Sequence, residues 1–131
     1  MYMLDTDICS YILKQRPISA LEKFSSTKET SISVSIVTVA ELLFGVQKNP
    51  NKKINVAVVD KFISGINVLD WDRNAANEYA RIRDELEKKG KPSGNFDMMI
   101  AAHALSIKAT LVSNNLRHFA HIPKLKMENW V

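Results

Sequence analysis

The chain has 131 residues, 46% of them apolar, with 18 Lys and Arg against 14 Asp and Glu, a net charge of +4 and a pI of about 9.2. That length fits one ordinary domain spanning 1–131, with a core that needs no staple, and the single cysteine, Cys9, excludes a disulfide framework and fits a reducing cytoplasm. No basic stretch leads into an apolar one at the amino end, and no apolar run approaches the ~18 residues of a membrane span, so composition points to a cytoplasmic protein whose modest positive excess suits polyanions.

Tyr2, Met3 and Leu4 predict a short buried strand. Ile8, Tyr11 and Ile12 then follow at helical spacing, with Thr6 and Asp7 as N-cap candidates. Asp5 therefore falls where a strand ends and a helix begins, the edge at which open α/β folds bind ligands. A second strand is expected near residues 30–34 in "TSISVS". "IVTVAELLFGVQKN" reads as a helix with a broad apolar face that ends at Asn49 and Pro50, and "KKINVAVVDKFISG" as another. "INVLDW" predicts a third strand.

"DRNAANEYARIRDELEKKG" is the clearest helix: Asp72 caps it, Ala75, Tyr79, Ile82 and Leu86 form its stripe, and Gly90 stops it. Asp84 with Lys88 and Glu85 with Lys89 are expected i, i+4 pairs. "FDMMIAAHALSIK" is a more apolar helix, "ATLVS" a fourth strand and "KLKMENW" a candidate fifth. Strands alternating with helices imply a central, mainly parallel four- or five-stranded sheet in a three-layer α/β/α sandwich, with helices over roughly half the chain.

Two further carboxylates stand out by context. Glu41 is the only charge in "SIVTVAELLFGV", and Asp97 the only charge in "SGNFDMMIAAHALS". A lone ionised carboxylate in an apolar helix is costly unless paired, solvated or metal-bound. Each has a local alternative: Glu41 can reach water, and Asp97 can cap its helix. Together with Asp5, however, each lies near the start of a helix that follows or packs beside a predicted strand, so the three can converge at one sheet edge. Two like charges ~4 Å apart repel by roughly 4 kcal/mol at an effective dielectric of about 20. Such a cluster calls for a cation, and oxygen ligands without His or Cys select Mg²⁺ or Mn²⁺ over zinc.

"LDTDI", "VTVAELLFGV", "FDMMIAAHA" and "LVSNNLRHF" occur in that order. Together they resemble the PIN-domain ribonucleases, most closely the VapC toxins of bacterial toxin–antitoxin pairs, and the likeness runs from Met1 to the closing "ENWV". The resemblance implies a parallel sheet ringed by helices. It implies Asp5, Glu41 and Asp97 as the principal acids of a Mg²⁺- or Mn²⁺-dependent endoribonuclease leaving 5′-phosphate and 3′-hydroxyl ends. It also implies a VapB antitoxin as silencing partner and a homodimer of toxin chains. Asp5 and Asp97 are the expected direct metal ligands, with Glu41 a ligand or the orienter of a water.

Two positions depart from the family pattern. Asp7 stands where Asn is common, and is either a helix cap or a further source of negative charge for the site. Asn115 stands where a fourth acid is often found, leaving it a neutral supporting residue. Ser113 is expected to steady Asp5 or the phosphate. The implied substrate is tRNA, cut in the anticodon stem-loop. Lys48, Lys52, Lys53 and Arg117 are candidate RNA contacts, with Lys88, Lys89, Lys91 and Lys124 as further basic positions.

His103 reads as a satisfied, partly buried residue, while His118 and His121 fall in an expected loop. Trp71 and Trp130 read as packing residues. Two other functions compete. "DTD" after a first strand superficially resembles haloacid-dehalogenase phosphatases, but "VSNN" lacks their downstream acid pair. A non-catalytic protein-binding module would use the acids only to receive a partner's Arg.

Overall fold

The computed structural model describes residues 1–49, 53–91 and 95–131. Lys52 and Pro50, named above, lie outside them. The sheet has five strands, β1 (Tyr2–Leu4), β2 (Ile32–Ser35), β3 (Asn67–Leu69), β4 (Thr110–Val112) and β5 (Lys126–Glu128). All neighbours are parallel, in the order β3-β2-β1-β4-β5. Met3 pairs with Ser33 on one side and Leu111 on the other, and Leu111 with Met127. The chain builds outward from β1 to β3, then crosses back to lay β4 on the other flank of β1. Between β1 and β4 the winding reverses, which opens a crevice beyond the carboxyl ends of those strands.

Among the described residues seven helices connect the strands: α1 (Thr6–Lys14), α2 (Ile18–Ser25), α3 (Ile36–Lys48), α4 (Val56–Ser64), α5 (Arg73–Lys88), α6 (Phe96–Ser106) and α7 (Leu116–Phe119), with a 3₁₀ turn at Glu29–Ser31. The short helices α2 and α7 are additional to the sequence reading. Alternation along the strands divides the core. Met3 and Leu111 face α5 and α6, where Ile82, Leu86, Met98 and Ile100 pack. Leu4 and Val112 face the other layer, against Ile8, Ile12, Val39, Leu42 and Val59. Ala101, Ala102 and Ala104 are fully buried, so α6 is apolar on more than one side and runs through the interior.

Side-chain caps set where the helices begin. Ser35 Oγ accepts the Val37 N–H at 3.1 Å, Asn55 Oδ1 that of Val58 at 3.0 Å, and Asp72 Oδ1 that of Ala75 at 3.0 Å. Gly90, at φ +68°, ends α5 in the left-handed conformation that favours glycine. Lys88 pairs with Asp84 at 2.8 Å as expected, but Glu85 pairs with Arg81 at 3.2 Å rather than with Lys89. Lys89 has already left the helix as its C-cap, where an i, i+4 partner no longer shares its face. Among the described residues no helix is long and apolar enough to cross a membrane.

Candidate active site at the carboxyl edge of the sheet

Asp5 leaves β1 at the crevice. Its N–H bonds the Val112 carbonyl at 3.0 Å, and the Ser113 N–H bonds the Glu128 carbonyl at 3.0 Å. The backbone of the sheet thus fixes Asp5 beside Ser113. The Ser113 hydroxyl accepts the Asn115 N–H at 2.9 Å and, beside Asp5, lowers the pKa of its carboxyl. Asp5 Oδ1 also accepts the Ile8 N–H at 2.9 Å, so Asp5, not Thr6 or Asp7, caps α1. The cap reading of Asp7 is overturned: α1 begins at Thr6, two residues before the start that a cap at Asp7 requires, leaving Asp7 exposed in the first turn.

Asp97 is likewise not a cap. Asn95 accepts the Met98 N–H at 3.2 Å and leaves the Asp97 carboxylate free in the first turn of α6. Its neighbour is His118 Nε2, 3.8 Å away. His118 lies in the short helix α7, not in the loop expected from sequence. Glu41 sits midway along α3 and accepts a 2.5 Å hydrogen bond from Thr6 Oγ1. Sequence reasoning took Thr6 for a cap candidate and missed its contact with Glu41, which joins residues 35 positions apart. It also missed His118 as the partner of Asp97. Neither pairing has a local signature.

The electrostatics tie the acids together. Asp5 is only 4% exposed. Burial raises its pKa from the ordinary 3.8 to about 6; the Ile8 N–H and Ser113 oppose this, while Asp7 and Asp97 add to it. Glu41 is raised first by burial, opposed by the Thr6 hydroxyl and reinforced by Asp97 and Asp7. Asp97 is raised by burial, held down by His118 and pushed up by Asp7. Asp7 thus bears on all three of the acids singled out from sequence. Among the described residues, no three His, Cys, Asp or Glu side chains close into a ready metal cage. The charge of Asp97 bears on both Asp5 and Glu41. An all-oxygen set of carboxylates with raised pKa values is the donor chemistry that suits a hard divalent cation.

The remaining candidates take separate places. Asn115 stands at the start of α7 with no side-chain capping bond. Lys48 closes the last turn of α3, Lys53 borders a surface hollow with Lys14, and exposed Arg117 precedes His118 on α7. A hollow of about 180 Å³ adjoins the acids, lined by Thr6, Asp7, Glu41, Leu42 and Val46 among others. His103 is buried and bonded to Ser35 at 2.8 Å, as a satisfied core histidine should be. Trp71 donates to the Met99 carbonyl at 2.9 Å, and Trp130 packs edge-on to Tyr2.

A PIN-domain family profile matches residues 2–125. The chain is 43% identical to "Ribonuclease VapC2" of Haemophilus influenzae over 130 residues, 99% of this chain and 98% of the relative. It is 41% identical to "tRNA(fMet)-specific endonuclease VapC" of Shigella flexneri over 129 residues, 98% and 97% of the two chains. The fold matches the crystal structure of VapBC2 from Rickettsia felis bound to a DNA fragment from its promoter, with a TM-score of 0.90 and 39% identity over 99% of this chain and 98% of that one. With these matches spanning nearly the whole chain, the protein belongs to the PIN-domain family, among the VapC ribonucleases.

Proposed function

We propose that this chain is the endoribonuclease toxin of a toxin–antitoxin pair, dependent on Mg²⁺ or Mn²⁺, that cuts tRNA in the anticodon stem-loop. The observation that carries the metal requirement is the placement of Asp5 at the end of β1, Asp97 in the first turn of α6 and Glu41 on α3, with the charge of Asp97 bearing on both Asp5 and Glu41. Relatives named as ribonucleases, one of them specific for tRNA(fMet), support the substrate class. Solved VapBC structures support a VapB antitoxin as partner, and a homodimer of toxin chains accords with the family resemblance. A tRNA substrate places the work in the cytoplasm. The family match favours this reading over the phosphatase and binding-module alternatives.

Asp5 and Asp97 are the residues to hold the ion directly, and Glu41 holds it or orients a water at its rim. When bound, the ion supplies Lewis acidity toward the phosphate and the attacking water. The chain's own residues set the stage. The Ile8 N–H fixes the Asp5 carboxylate, Ser113 favours its ionised form, and the Thr6 hydroxyl fixes Glu41. His118 holds Asp97 toward its ionised form. Asp7 adds negative field at the entrance, and Asn115 offers a neutral amide beside Ser113. Products carry 5′-phosphate and 3′-hydroxyl ends.

The test is cleavage of purified tRNA with Mn²⁺, with Mg²⁺ and with EDTA, the products mapped by 5′-end sequencing. One dominant cut in the anticodon stem-loop, lost with EDTA and in Asp97→Asn, supports the proposal. Undiminished cutting in EDTA overturns the metal requirement, and scattered cuts across unrelated RNAs overturn the tRNA assignment.

A further inference from the structure

The acids occupy the carboxyl edge of the sheet, and the amino edge carries the opposite charge. Lys108 lies in the turn from α6 into β4, Lys124 in the turn into β5, and Lys126 opens β5. All three are exposed, and with Leu105, Glu78 and Arg81 they line a cleft of about 480 Å³. Arg81 and Glu78 neutralise each other across the cleft wall. Among the described residues none of the three lysines is ion-paired. The free charge of the cleft is therefore three ammonium groups.

Backbone conformation sets two of them in place. Lys108 and Lys124 have φ of 57° and 68°, left-handed values that residues other than glycine adopt infrequently. At Lys108 the Ala109 N–H bonds the Ala104 carbonyl at 2.9 Å and the Lys108 N–H bonds that of Leu105 at 3.1 Å, a helix ending where glycine is the usual choice. Local benefits exist. A cation suits the carboxyl end of α6, and a lysine blunts the exposed edge strand β5. Neither benefit requires three cations around one hollow, where they repel one another. An anion in the hollow removes that cost. Ammonium groups act on phosphate as point charges and read no bases, and backbone contacts of this kind position a nucleic acid without specifying its sequence.

We infer that this cleft is an exosite for the sugar-phosphate backbone of the folded RNA substrate, away from the point of cutting. The inference rests on the ribonuclease reading and deepens it. β4 has three residues, two steps of about 3.3 Å, so its two ends lie only about 7 Å apart. A folded RNA can present one strand to the acids and another to the lysines. A short single strand that just fills the acid edge cannot. The cleft thus favours structured RNA over the same cut sequence in isolation.

The experiment compares the full-length wild type with a triple variant, Lys108→Gln, Lys124→Gln and Lys126→Gln, after melting curves show both folded. Each is assayed on a complete tRNA and on a short single-stranded oligonucleotide carrying the same cut site. The expected result is a KM for tRNA raised about tenfold or more with kcat within twofold, and unchanged kinetics on the oligonucleotide. The slope of log affinity for tRNA against log salt flattens by about 2, since three phosphate contacts are lost at ~0.7–0.9 each. An unchanged KM for tRNA overturns the exosite, as does equal loss on both RNAs. Loss of affinity for duplex DNA or an acidic peptide, with tRNA kinetics intact, also overturns it and gives the cleft to another polyanion. Failure of the wild type to cut either RNA is separate and counts against the ribonuclease reading itself.

Discussion

The Thr6 hydroxyl donates a 2.5 Å hydrogen bond to Glu41 Oε1, joining the first turn of α1 to the middle of α3. It opposes the upward pull that burial exerts on the Glu41 pKa. Thr6→Val should therefore raise that pKa further and move the acid limb of the pH–rate profile to higher pH. A tenfold to hundredfold fall in kcat/KM is expected, roughly 1.4–2.8 kcal/mol of transition-state stabilisation. Thr6→Ser keeps the hydroxyl and should restore most of it. A Thr6→Val profile that overlays the wild type would remove Glu41 from the proposed role.

Asp5 should make the metal-free protein less stable as pH rises. Its folded pKa of about 6 exceeds the ordinary 3.8. Below 3.8 the group is protonated in both states, and stability is highest on its account. Between 3.8 and about 6 only the unfolded chain ionises freely, so stability falls, and above 6 the full cost is present. The difference corresponds to roughly 3 kcal/mol. Asp5→Asn retains a capping side chain. It should be more stable than the wild type at pH 7.5 in EDTA, with the advantage shrinking toward pH 4, and should lack activity. Urea unfolding across that range is the measurement.

Divalent cation should reverse that penalty. Mn²⁺ at 100 times its Kd adds about 2.7 kcal/mol to the folded state. Thermal melts with and without Mn²⁺ should show this in the wild type and lose most of it in Asp97→Asn. The gain should weaken from pH 7.5 to 5.5, because protons compete at three carboxylates whose pKa values are all raised. Asp7→Asn leaves the cap of α1 intact. It should reduce Mn²⁺ affinity by a factor of about 2–5 through lost field, about 0.4–1 kcal/mol. An identical affinity would confine Asp7 to the surface.

The buried contact between His103 and Ser35 links α6, which carries Asp97, to the start of α3, which carries Glu41. Burial lowers the His103 pKa, so the folded state holds it neutral. Stability from this group is present above the ordinary 6.5 and is lost as pH falls below it, the opposite sign to Asp5. Ser35→Ala removes both this partner and the cap on the Val37 N–H, and should cost about 1–3 kcal/mol by denaturant unfolding. Ser35→Thr should recover part of it.

Much of the fold is legible along the chain, because alternation and helical periodicity are local properties. The strand at Tyr2–Leu4, the capped helix after Asp72 and its end at Gly90 all follow from residue type. Asp97 and Glu41 declared themselves as lone charges in apolar helices. The short helix α7 did not, since four residues carry no period. Nor did the exchange of roles between Asp5 and Asp7, which turns on a backbone bond from Asp5 to Val112 over a hundred residues away.

By itself, then, the sequence determined the class of fold and singled out the acids proposed for the site, since these depend on patterns and residue types that neighbours in the chain reveal. Only the tertiary structure decided which carboxylate caps α1, that Thr6 holds Glu41 and His118 faces Asp97, and that three lysines share a cleft behind the sheet. Those outcomes depend on parallel strand order and register, which bring distant segments within a few ångströms and which no local signal encodes.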